Sequence, residues 1–202
     1  QRLVPNLQVD LVPNGVDTQY FKRKEQVVSS QNPIILFVGN FKWLQNREAV
    51  SILVKKIWPL VVKEVSNAKL WIVGKFPTSE IKNFSSASIK VSDDADVQSD
   101  LLIAPIYGPG GTRYKILEAM ATGLPVITTS TGVEGLDITH GKQALIKDNP
   151  EDLASEIVKI LNNPKLYKTL AENGRKLVEE KYNWERIAQE LDKIYERAVY
   201  GE

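Results

Sequence analysis

Short apolar segments that alternate with helical segments are the feature of this sequence that most restricts its fold. Residues 34–39 (IILFVG) and 69–74 (KLWIVG) are mostly apolar runs that end in glycine, the pattern of strands buried on both faces of a parallel sheet. Further short strands are predicted at residues 88–91, 101–104, 125–128 and 144–146. The alternation predicts an α/β fold, a Rossmann-like, doubly wound parallel sheet of about six strands.

Helices are predicted between the strands and after the last one. Residues 47–65 have apolar side chains at helical spacing, and Pro59 predicts a kink or a restart there. A weak helix is predicted around residues 78–84. Beyond Asn149, which has the position of an N-cap before a proline, three helices are predicted at residues 150–162, 164–181 and 183–199.

Composition excludes several kinds of site. The 202 residues include no cysteine, which excludes disulfides, thiol catalysis and cysteine-bound metals, and the single His140 is expected on the surface. The 26 basic and 25 acidic residues nearly balance, so we expect no nucleic-acid partner. Apolar runs fall far short of the roughly 20 residues of a membrane helix, and the first residues lack a signal-peptide pattern. We expect a cytoplasmic protein.

A glycine-rich loop before an apolar helix, GPGGTRYKILEAMA at residues 108–121, is the candidate ligand site. It follows a predicted strand, at the edge of the sheet where α/β proteins bind ligands. The backbone amides of Gly110, Gly111 and Thr112 can approach an anion, with Thr112 as the expected N-cap, and Arg113 and Lys115 add positive charge. An ordinary glycine turn with solvated cations is the open alternative.

Glu118 lies in the apolar helix that follows this loop. A carboxylate among apolar residues needs partners if it is buried, and at this position it can face the ligand of the loop and accept hydrogen bonds from a vicinal diol. A partly exposed helix residue with no ligand is the alternative.

The stretch GGTRYKILEAMATGLPVITTSTGVEGL resembles the donor-binding motif of retaining glycosyltransferases of the GT-B fold, the GT4-type family labelled glycosyl transferases group 1. VPNGVD at residues 12–17 is similar to the hinge of that family, and the resemblance covers nearly the whole chain. It implies an interdomain hinge at residues 1–17, a nucleotide-sugar-binding domain at residues 18–182, and a C-terminal helix at residues 183–202 that packs toward an acceptor-binding N-terminal domain outside this chain.

The resemblance also assigns roles to residues, with two departures from the pattern of the family. Glu118 matches the second of two glutamates and would bind the ribose hydroxyls, whereas Gly110 stands where the first, sugar-facing glutamate is expected. Catalytic residues therefore stay unassigned.

The second departure concerns the cations that bind the diphosphate in the family, which follow the first strand. After Gly39, the corresponding places are held by Asn40 and Asn46. Lys42 or Arg47 are possible substitutes, and so are Arg113 and Lys115 in the second loop. Gly39 and Lys42 thus join the candidate donor-binding residues.

The implied reaction is transfer of a sugar from a nucleotide diphosphate sugar to an acceptor such as a glycan or a lipid-linked saccharide, with no obligatory metal or other cofactor. The acidic segment at residues 93–96 is not expected to bind a metal. The resemblance leaves open a peripheral membrane association through the N-terminal domain. This fragment is expected to be inactive alone.

Two other functions remain open, namely a non-catalytic nucleotide-sugar-binding module and half of a GT-B nucleotide-sugar epimerase. Gly110 favours the former, whereas the latter would require more histidines and acidic residues than this chain offers. A dinucleotide oxidoreductase is disfavoured because no GxGxxG motif follows the first strand.

Overall fold

The computed structural model describes residues 9–22, 31–93, 99–108 and 113–201. Their core is a parallel sheet of six strands, as the sequence predicts. The strands are β1 (Ile34–Val38), β2 (Lys69–Val73), β3 (Ile89–Ser92), β4 (Leu101–Ala104), β5 (Val126–Thr128) and β6 (Leu145–Ile146). The apolar runs form strands because the sheet is covered by helices on both faces, which leaves little of it exposed.

The helices that cover the sheet agree with the predicted segments apart from details at their ends. They are α1 (Leu44–Ile52), α2 (Trp58–Glu64), α3 (Ser79–Lys82), α4 (Tyr114–Ala121), α5 (Pro150–Leu161), α6 (Pro164–Lys181) and α7 (Trp184–Tyr200). A π-helical segment, Leu53–Ile57, joins α1 to α2 without a break, and Pro59 lies in the first turn of α2. The helix is therefore irregular just before the proline, where the sequence predicts a kink or a restart. Asn149 caps α5 by accepting a hydrogen bond from the backbone N–H of Asp152. Within the described ranges, no helix has the length and hydropathy needed to cross a bilayer.

Two apolar clusters pack the helices onto the sheet. One joins α1, α2 and α5 to one face, and the other joins α4 to the opposite face. Helix α6 runs from one cluster to the other, because Leu170 packs in the first cluster and Leu177 in the second. Helix α4 is thereby held against β4 and β5.

The strand order β3-β2-β1-β4-β5-β6 determines where a ligand site can form. From β1 the chain moves outward to β3 and then returns to the other side of β1 as β4, which pairs with β1 at Leu36 and Leu102. The loops after β1 and β4 therefore leave the sheet in opposite directions. Such a switch point opens a crevice at the carboxyl ends of the two strands.

The predicted hinge packs along α4 and α6. The N–H of Val16 donates to the carbonyl of Tyr182 at 2.7 Å, and the hydroxyl of Tyr114, in the first turn of α4, lies 3.1 Å from Asn14 Oδ1. Arg175 of α6 donates to the carbonyls of Phe21 and Ala121. Asn14 of the hinge is therefore tied to the start of α4, and Phe21, just beyond the hinge, is tied through Arg175 to the end of α4. The boundaries of the hinge stay a prediction.

Candidate functional site

The loop after β1 forms one wall of the crevice. Gly39 continues the pairing of β1 with β2, because its N–H donates to the carbonyl of Val73 at 2.9 Å. A β-carbon on Gly39 would lie only 3.0 Å from Cγ of Asn46, in α1. The predicted site residue Gly39 thus provides the space that the Asn46 side chain occupies.

Gly74 directly follows β2, and the close packing of the backbone at this position also requires a glycine. Its φ is +156°, and a β-carbon there would lie 1.6 Å from the carbonyl oxygen of Gly39. Only glycine lets the loops after β1 and β2 approach this closely. Sequence reasoning placed Gly74 at a strand end but did not identify this contact.

Lys42, another predicted donor-binding residue, lies on the outer part of the β1–α1 loop. Its side chain is exposed, and its Nζ lies 4.0 Å from the centre of the Phe76 ring, in the loop after β2. Asn40 shapes this loop, because its side-chain oxygen accepts a hydrogen bond from the backbone N–H of Lys42. The ammonium group of Lys42 is therefore solvated and held toward β2.

The second wall begins with the glycine-rich loop. Gly110, Gly111 and Thr112, the predicted amide cradle, lie outside the described residues. Helix α4 begins at Tyr114 with Arg113 in the N-cap position, so the expectation that Thr112 is the N-cap is wrong by one residue.

Arg113 is buried, and its guanidinium group faces the loop after β5. Nη2 donates to the carbonyl of Thr131 at 2.7 Å and lies 3.5 Å from Oε2 of the exposed Glu134. Arg113 therefore joins the start of α4 to the β5–β6 loop.

Lys115, in the first turn of α4, directs its ammonium group across to β1 and α1. Its Nζ donates to Oδ1 of Asn46 at 2.9 Å and lies 5.0 Å from the centre of the Phe37 ring. Burial, reinforced by the nearby charge of Arg113, lowers the pKa of Lys115 from 10.5 to about 8, and Glu118 opposes this shift. An ammonium group that has lost water in this way gains strongly from an anionic ligand.

Glu118 follows Lys115 by three residues, so the two side chains share one face of α4. The carboxylate is half-buried, and burial raises its pKa, which Lys115 partly opposes. The face of α4 at the crevice thus carries a desolvated cation near the helix N-terminus and a carboxylate one turn later. A cation in that position suits a phosphate, and a carboxylate suits a pair of hydroxyl groups.

The single histidine, two of the tryptophans and the described part of the acidic segment do not contribute to the candidate site. His140 is exposed, as expected, and its Nδ1 accepts a hydrogen bond from the N–H of Ile146. Trp58 is buried, whereas Trp71 is only half-buried and has Nζ of Lys90 4.1 Å from its ring centre. In the described ranges no group of three acidic or histidine side chains could hold a metal, and residues 94–96 of the acidic segment lie outside those ranges.

A shallow pocket of about 290 Å³ lies beside the crevice. It is bounded by the exposed side of α1 and by Tyr107 and Gly108 of the β4–α4 loop. Burial, with the charges of Asp148 and Glu151, raises the pKa of Tyr107. The pocket is therefore bordered by acidic groups, which makes it a poor site for a phosphate.

Comparison with known proteins identifies the family. The family described as "Glycosyl transferases group 1" matches residues 32–163. An uncharacterised glycosyltransferase of Methanocaldococcus jannaschii is 33% identical over 103 residues, which cover 50% of this chain and 26% of that protein. The N-acetyl-alpha-D-glucosaminyl L-malate synthase of Bacillus anthracis is 27% identical over 212 residues, which cover 95% of this chain and 54% of the synthase. This chain thus spans about half, or less, of the length of these relatives.

Solved structures agree on the fold. A glycosyltransferase from Rickettsia africae superposes with a TM-score of 0.74 at 19% identity, covering 95% of this chain and 57% of that one. The Anabaena protein HepE, solved with UDP and glucose, gives 0.70 at 16% identity, with 92% and 56% covered. The C-terminal domain of a group 1 glycosyltransferase from Francisella tularensis gives 0.64 at 18% identity, with 84% of this chain and all of that domain covered.

The predicted Rossmann-like fold of the C-terminal GT-B domain is therefore confirmed, by strand order and by likeness to solved structures. The family match covers more than half of the chain and includes the motif on which the resemblance rests. The chain belongs to the group 1 glycosyltransferases.

Proposed function

We propose that this chain binds a nucleotide diphosphate sugar and forms the donor half of a retaining glycosyltransferase. The observation that carries the proposal is the pair on α4, where the desolvated Lys115 reaches Asn46 of α1 and the half-buried Glu118 lies one turn later on the same helix face. The likeness to HepE, which was solved with UDP and glucose, supports a uridine nucleotide as the first donor to test.

The two residues have different tasks in this proposal. Lys115 and the N-terminus of α4 bind the diphosphate, and Glu118 accepts hydrogen bonds from the ribose hydroxyls. In transfer, the bond between the anomeric carbon and the diphosphate oxygen breaks, and its electron pair leaves with the diphosphate. The acceptor oxygen forms a new bond to that carbon, and the proton of the acceptor hydroxyl passes to the departing diphosphate. Negative charge grows on the diphosphate, and a fixed ammonium group and helix N-terminus stabilise that charge. No metal ion is obligatory in this arrangement.

Calorimetric titration of the 202-residue chain with UDP-, GDP- and ADP-sugars, in the presence of a chelator, tests the proposal. One nucleotide should bind in preference to the other two, and E118Q should weaken that binding because the amide replaces one acceptor oxygen with a donor. If none of the three nucleotides binds, or if E118Q and wild type bind alike, the proposed donor site is wrong.

A second candidate is a module that binds the donor but does not catalyse transfer. It is favoured by Gly110, which stands where the family has a sugar-facing glutamate. A two-domain protein that contains this chain separates the candidates. Release of the nucleotide with transfer to a saccharide acceptor supports the enzyme, whereas tight donor binding without turnover supports the module.

The acceptor domain is proposed to contact α7. Apolar side chains along the end of this helix are exposed, with 61% of Tyr195, 70% of Val199 and 76% of Tyr200 accessible, and Leu11 of the hinge is 85% exposed. We expect hydrogen exchange in α7 to slow when the N-terminal domain is added to the chain. Unchanged exchange would place the interdomain contact elsewhere.

A further inference from the structure

Asn46 connects the two walls of the crevice. Its Nδ2 donates to the carbonyl of Asn40 at 2.8 Å, and its Oδ1 accepts the hydrogen bond from Nζ of Lys115 at 2.9 Å. The first contact fixes which side of the amide faces Lys115, because only the NH₂ group can donate to a carbonyl. The side chain also packs against Gly39, which limits its movement.

Among the described residues, few groups other than Asn46 face the ammonium group of Lys115. Phe37 of β1 and Asn46 of α1 are uncharged, and the charged groups described near it are Arg113 and Glu118. Arg113 repels the ammonium group and is itself bonded to Thr131. The bond to Asn46 therefore determines the direction of the Lys115 side chain.

On the basis of the proposed function, we propose that Asn46 is a positioning residue for donor binding, because its amide holds the Lys115 ammonium group at the carboxyl end of β1, where the diphosphate binds. Asn46 is neutral, so it stabilises the charged form of Lys115 without competing with a phosphate for that charge. Asparagine meets both requirements, whereas aspartate would neutralise Lys115 and alanine would release it.

Two substitutions separate positioning from a general structural role. N46D keeps the size of the side chain and places an anion beside Lys115, which raises the pKa of Lys115. N46A removes the hydrogen bond to the charged form, which lowers it. Both should weaken UDP binding, by about tenfold or more at pH 8. In N46D the new carboxylate competes with the diphosphate for Lys115, whereas in N46A less of Lys115 is protonated and its side chain is no longer held.

The experiment combines two measurements on the 202-residue chain. NMR titration of the Lys115 side chain gives its pKa without ligand, and calorimetry gives the affinity for UDP at pH 6 and pH 8. Lowering the pH from 8 to 6 should recover part of the affinity lost in N46A, because Lys115 becomes protonated again although Asn46 no longer holds its side chain, but little of that lost in N46D. N67D is the matched control, since Asn67 is an exposed residue that bonds the Gln31 carbonyl before β1.

The outcomes are distinguishable. Opposite pKa shifts in N46D and N46A, with the pH dependence above, support the positioning role. Equal losses of affinity at both pH values, with an unmoved pKa, would overturn it, and so would unchanged affinity in folded N46D. If wild type binds none of UDP, GDP and ADP at either pH, the proposed function fails instead, while the pKa titration still shows whether Asn46 controls Lys115.

Discussion

Replacing Lys115 with methionine should make the protein more stable and a weaker binder of its donor. The folded pKa of about 8 lies below the ordinary 10.5, so burial disfavours the charged form. At about 1.4 kcal/mol for each pKa unit, a shift of about 2.5 units corresponds to about 3 kcal/mol of destabilisation at pH 7. K115M removes this charge and keeps most of the apolar stem, so we expect the free energy of unfolding to rise by about 1–3 kcal/mol.

The pH dependence of stability tests whether Lys115 destabilises the folded chain, as this prediction requires. Below pH 8 the lysine is protonated in both the folded and the unfolded chain, and the full destabilisation is present. Between pH 8 and 10.5 the unfolded chain binds more protons than the folded one, so this contribution makes wild type more stable as the pH rises. The stability difference between K115M and wild type should therefore shrink over that window.

Urea unfolding with and without UDP measures both effects. UDP should stabilise wild type, and K115M should bind UDP about 10- to 100-fold more weakly, the range expected for a lost hydrogen bond to a charged group. K63M, on the exposed side of α2, is the matched control and should change neither quantity. A K115M protein that is less stable than wild type and binds UDP equally well would refute the reasoning.

Three further substitutions test other parts of the account. R113A should abolish donor binding if Arg113 contacts the diphosphate. The control E134Q, which removes only the ion pair between Arg113 and Glu134, should leave donor binding intact. Unchanged donor affinity in R113A would show that Arg113 does not contact the diphosphate. G74A should lower the free energy of unfolding by about 2 kcal/mol or more, because the new β-carbon overlaps the carbonyl oxygen of Gly39. An unchanged urea unfolding curve would contradict this prediction. R175M should cost about 2–4 kcal/mol in the same assay, because it removes the bonds by which Arg175 of α6 joins Thr18 and Phe21 to Ala121 of α4. A smaller loss would show that residues 18–21 are held by other contacts.

The sheet could be predicted from the sequence because its strands are buried on both faces. Burial on both faces gives continuous apolar runs, and helices between them require parallel strands. The irregular helix before Pro59 and the cap at Asn149 were also predictable, because proline and asparagine act through local backbone chemistry. The start of α1 at Leu44 was not, since Trp43 occupies its N-cap position without a side-chain cap bond.

The site could be predicted only in part. The motif places Lys115 and Glu118 on one helix, and their spacing of three residues brings the two side chains to the same face of that helix. The contact between Lys115 and Asn46 joins residues 69 positions apart and depends on β1 and β4 being neighbours. In the sequence, Asn46 stands out only as a departure from the pattern of the family, and its packing against Gly39 is seen only in the structure. The orientation of Arg113 toward Thr131 had no signal at all.

A crystal structure of the chain with bound UDP tests the central claim most directly. The account predicts a diphosphate oxygen within about 3 Å of Nζ of Lys115, with the ribose hydroxyls at the Glu118 carboxylate. UDP bound away from α4, for example in the pocket beside Tyr107, would contradict it.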